Sequence, residues 1–137
     1  MLRMPALLRQ PFQAPRELRA AVREIGSAKT IRTDTVIFKQ GAPARGVFLI
    51  ESGKIALSLK KKGAKKAFWF ADVGSLLGLP ATVRNVPYSL TAVAVEETKV
   101  AFVSRSRMQR LLLCDPNLCF QAVQMLATEI RELRFKE

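Results

Sequence analysis

The residues whose types and spacing could do chemistry lie in residues 74–94, GSLLGLPATVRNVPYSLTAVA. Glycines 74 and 78 break the chain, Leu79-Pro80 opens a short helical segment, and from Ser89 onward the side chains alternate as in a strand. A turn entering a helix leaves its first backbone N–H groups without intrahelical partners, and such groups can cradle a phosphate or carboxylate. The candidate ligand residues are therefore Gly78, Leu79, Pro80 and Ala81 at the helix start, Arg84 in the loop, and Tyr88 and Ser89 beyond it. Pro80 has no N–H to give. Arg84 can supply a cation or be a solvated loop arginine; Tyr88 can donate a hydroxyl or simply fill a cavity.

Composition removes other chemistries. The chain has 137 residues, two cysteines and no histidine. Without histidine there is no Ser–His or Cys–His nucleophile, no imidazole metal ligand and no metal-bearing cupin-type site. Cys114 and Cys119 are too few for a zinc site or a disulfide scaffold, and are expected in the core or a helix seam. No cofactor, no metal and no enzymatic activity are expected. The charge of +12 favours polyanionic partners or small anions. No apolar run approaches the roughly 20 residues of a membrane span, and residues 1–18 lack the continuous apolar region of a signal peptide. The expected location is the cytoplasm, with no membrane partner.

The elements that must position the 74–94 stretch read as one domain. Residues 1–14, punctuated by Pro5 and Pro11, are expected to form a flexible arm, and 15–137 the domain itself. A helix from Pro15 to about Ile25 places Leu18, Ala21, Val22 and Ile25 on one face, with Gly26 as its C-cap. Short β-rich runs follow at 29–32, 35–39, 46–51, 54–59, 67–71, 89–95 and 99–103. At least seven strands at this spacing predict a mainly β fold, a sandwich, jelly roll or barrel, over about 28–103. The lysine-rich tract 60–66 reads as a solvated hairpin tip, although basic residues followed by Phe68 and Trp69 also fit nucleic-acid contacts.

Ser104 is a plausible N-cap for a short helix at 105–113, and Asp115-Pro116 breaks it before a long final helix, giving helices over about 104–136. Along the last helix Cys119, Val123, Leu126, Ile130 and Leu133 recur at alternating spacings of four and three, an a/d seam suited to a homodimer. Leu118, Ala122 and Met125 form a second stripe suited to packing on the chain's own β-domain.

Phe38, Gly41, the run 46–55 (GVFLIESGKI), Gly74 to Gly78, the paired strands around Glu96-Glu97 and the Asp115-Pro116 break together resemble the cyclic nucleotide-binding domain of Crp/Fnr (catabolite activator-like) regulators. The resemblance implies a double-stranded β-helix, or jelly roll, of eight strands with a short N-terminal helix and C-terminal helices, the last one long and pairing two protomers. It implies a signalling role in transcription regulation, with the 78–89 segment as a phosphate cassette for a cyclic nucleotide or other small anion. In cyclic-AMP-binding members a Glu follows the cassette glycine and holds the ribose, and an Arg precedes a Ser or Thr and holds the phosphate. Leu79 and Tyr88 stand at those two positions here. The sequence ends at Glu137, before a helix-turn-helix would begin, so this chain alone is not expected to read DNA sequence.

Overall fold

The computed structural model describes residues 11–61, 63 and 67–136, with the side chains of 132–136 not described. The element order is α1 (Arg16–Ile25), β1 (Ser27–Ile31), β2 (Val36–Phe38), β3 (Gly46–Ser52), β4 (Ile55–Leu59), β5 (Ala67–Ala71) and β6 (Leu76–Leu77). There follow α2 (Leu79–Arg84), β7 (Thr91–Ala94), β8 (Thr98–Ser104), α3 (Arg105–Cys114) and α4 (Pro116–Lys136). Eight antiparallel strands form two four-stranded sheets, ordered β1-β8-β3-β6 and β2-β7-β4-β5. This is the expected jelly roll flanked by helices.

The first sheet is covered on both faces, which explains why β3 and β8 read as near-continuous apolar runs rather than alternating ones. Val47, Leu49, Leu76, Ala101 and Val103 point to a helix-side core with Leu18, Val22, Met108, Leu118, Ala122 and Met125. Ile50, Leu77 and Val100 point the other way, into the roll, where they meet Ile55, Leu57, Trp69 and Phe38. The second sheet has one wet face: in β5 Trp69 is buried while Phe68 and Phe70 are exposed.

Local chemistry sets the helix ends. The Ser104 hydroxyl accepts from Arg107 N at 3.4 Å and caps α3, as expected. Asp115 Oδ1 accepts from Asn117 N at 3.0 Å and Leu118 N at 3.2 Å, capping α4. Gly26 follows α1 in extended conformation, not as a left-handed cap. Its missing Cβ instead lets the chain pass Ala101, to which a Cβ would come within 2.9 Å.

The end of the N-terminal arm departs from expectation. Residues 11–14 are not loosely held. Gln13 bridges Ser75, Ala14 N donates to Gly74 O at 3.0 Å, and Leu76 N donates to Phe12 O at 2.7 Å. Pro11 and Pro15 favour extended backbone around this segment, and the short strand β6 offers it an edge. Phe12 thereby enters the roll core and is 3% exposed. The remainder of the arm, residues 1–10, lies outside the described residues, as do 62 and 64–66 of the basic tract.

Candidate functional site

The cassette segment is held by Gly78, which caps α2 at φ +87. That backbone is open to glycine at little cost, and the space is spoken for. A Cβ on Gly78 would lie 2.9 Å from Tyr88 Cε1 and 3.1 Å from Gly46 O. After Gly78 the chain alternates between the two cores: Leu79 is fully buried on the helix side, whereas Ala81 faces the roll. Leu79 is thus a packing residue against the sheet, not a cavity wall. Arg84, in the last turn of α2, is exposed and stands outside the cavity lining.

Tyr88 is drawn into the roll. Its ring stacks on Phe38 with centroids 4.0 Å apart and planes 16° from parallel. Its hydroxyl donates to Gly46 O at 2.7 Å and accepts from Arg45 N at 3.1 Å and Gly46 N at 3.2 Å. Three backbone partners account for this buried polar atom and fix the ring in one position.

Gly78, Pro80, Ala81, Tyr88 and Ser89 do converge, on a cavity of about 20 Å³. Phe12 from the arm, Phe38, Leu57 and Leu77 from the strands, Leu90, and Glu129 from α4 complete its wall. Such a volume holds about one water. Of the expected ligand residues, five line this space and two, Leu79 and Arg84, do not.

Glu129 is the group that the sequence reading leaves out. It is 4% exposed, and its Oε1 has no hydrogen-bond partner among the described residues. Desolvation by burial pushes its carboxyl from 4.5 to about 8, because the charged form loses its water and gains no partner. A signal was present in the sequence. Leu118, Ala122 and Met125 are all buried, and continuing their four-three spacing by four lands on Glu129, an acid in an apolar stripe. The neighbouring stripe faces outward: Val123 and Ile130 are more than half exposed, Cys119 is exposed and Leu126 is half-buried. The Leu133 side chain lies outside the described residues.

Two four-stranded sheets, a glycine-capped short helix and a long terminal helix that reaches the cavity beside it define a β-roll domain. The cyclic nucleotide-binding domain family model matches residues 28–114, well over half of the chain, and the chain belongs to that family. It is 21% identical over 122 residues to the anaerobic regulatory protein of Bacillus subtilis strain 168, covering 88% of this chain and 51% of that protein. The crystal structure of Thermus thermophilus catabolite activator protein superposes with a TM-score of 0.77 at 22% identity, covering 92% of this chain and 61% of that one. A transcriptional regulator from Thermotoga maritima gives 0.71 at 14% identity, covering 85% and 92%. The chain thus spans about half the length of the curated relative it matches. Among the described residues no helix is long and apolar enough to cross a membrane.

Proposed function

We propose that this domain is a regulatory ligand-sensing module whose phosphate cassette is closed from within and does not take cyclic AMP in the usual way. The observation that carries this reading is the occupation of the roll interior. Tyr88 stands where binding members place the phosphate-holding Arg, and its hydroxyl is already committed to backbone groups of residues 45 and 46. Leu79 stands where they place the ribose-holding Glu, and it faces the other core. A cavity of about 20 Å³ remains, so a nucleotide would have to displace Phe12, Tyr88 or α4. Each missing charge-assisted contact is worth roughly 1.5–3 kcal/mol, so losing two weakens binding on the order of 10²–10⁴-fold.

Two routes link the cassette to the terminal helix. α2 packs on α3, which packs on α4, and Glu129 of α4 touches the cassette cavity directly. A ligand or partner that opens the cavity on its Glu129 side therefore moves α4. The exposed stripe of Val123 and Ile130 supports the companion reading that α4 pairs two protomers, so that its position sets how the copies meet. Calorimetric titration with cyclic AMP, cyclic GMP and a cyclic dinucleotide tests the proposal. The expected result is no saturable heat from any of the three. Micromolar binding abolished by Arg84→Ala or Ser89→Ala would overturn it, because it would mean a cassette that opens and recruits a substitute cation.

A further inference from the structure

The Tyr88–Phe38 pair has a second side. Beyond it lies an open cavity of about 430 Å³, between the β1-β8-β3 sheet and β2, edged by the loop at residues 42–45. That volume falls in the range of small-molecule sites, about 300–1,000 Å³. Its wall is a continuous series of rings. Phe38 lies 5.8 Å from Phe48, and Phe48 lies 4.9 Å from Phe102, centroid to centroid. Lys29 Nζ stands 5.7 Å from the centre of the Phe102 ring. Arg45 is the second cation of the lining, which contains no acidic residue. Among the described residues neither Lys29 nor Arg45 is in an ion pair.

A wall of buried and half-buried aromatic rings, with Lys29 over the Phe102 ring and two cations outside any ion pair among the described residues, is complementary to a flat body carrying one negative group. Rings gain from offset or edge-on contact, and a carboxylate gains charge-assisted hydrogen bonds from Lys and Arg. An acid-free lining gives a cationic ligand nothing to pair with. The geometry points to this cavity as a second ligand site, distinct from the cassette, for a small planar aromatic carboxylate. Its back wall is the Tyr88–Phe38 stack, and the same two residues also line the small cavity that Glu129 lines. A ligand here bears on the cassette without entering it.

The test uses the full chain and 2-naphthoate as probe, with 2-naphthalenemethanol and cyclohexanecarboxylate as controls. Calorimetry should give saturable one-to-one binding of 2-naphthoate, with ring-proton shifts at Phe48 and Phe102. Lys29→Gln and Arg45→Gln should each weaken it by about tenfold or more. Both side chains are exposed, and an unchanged circular dichroism spectrum will show that the variants remain folded. Absence of saturable binding would overturn the proposal. So would affinity unchanged in the double variant, or equal binding of either control. The outcome is independent of the cyclic nucleotide titration, which reads the cassette alone.

Discussion

On the proposed reading Tyr88 and Glu129 close the cassette, and each makes a measurable claim. Tyr88→Phe removes a hydroxyl that serves one backbone acceptor and two donors. It should lower unfolding free energy by about 1–3 kcal/mol in urea denaturation, the usual loss when buried partners are orphaned. Glu129 titrates near pH 8 in the folded protein against 4.5 as its ordinary value. Between those values the folded state holds a proton that the unfolded state has released, so stability falls as pH rises from about 5 to about 8, then levels off. The slope attributable to this group is about 1.4 kcal/mol per pH unit. Glu129→Gln should flatten that slope and raise the melting temperature more at pH 8 than at pH 5. Tyr88 was legible as a candidate within the 78–89 segment and as a residue able to fill a cavity. Its hydroxyl partners were not, because Gly46 lies 42 residues away in the chain. Leu79 and Arg84 show the same limit. Being in the cassette segment does not say which core a side chain faces, and that depends on the helical turn that α2 takes after Gly78.

At the scale of elements, the roll and its flanking helices could be read from strand spacing, caps and apolar periodicity. Two features escaped. β6 is only two residues long, too short to show alternation, and it owes its existence to pairing with β3. The segment at residues 11–14 looked like an arm because prolines flank it, yet its backbone completes the edge that β6 presents. Phe12→Ala should therefore cost roughly 3–5 kcal/mol, as for other buried Phe truncations, where a loose arm would cost nothing. Chemical denaturation distinguishes the two. Gly78→Ala adds a Cβ against the Tyr88 ring at φ +87, and should destabilise by about 1–3 kcal/mol in chemical denaturation.

For the whole molecule, α4 joins the halves of the account. One stripe packs on the domain and carries Glu129 to the cassette, and the next presents Val123 and Ile130 to solvent. Sedimentation should find a dimer that Val123→Lys with Ile130→Lys converts to monomer; an unchanged mass would remove the seam from the account. The most direct test of the closed cassette is the carbon-13 signal of the Glu129 carboxyl, titrated with and without millimolar cyclic AMP. A midpoint near 8, indifferent to the nucleotide, is the predicted result: α4 seals a cavity that cyclic AMP does not enter. A midpoint in the ordinary carboxylate range, near 4.5, or one that moves on adding cyclic AMP, would contradict it.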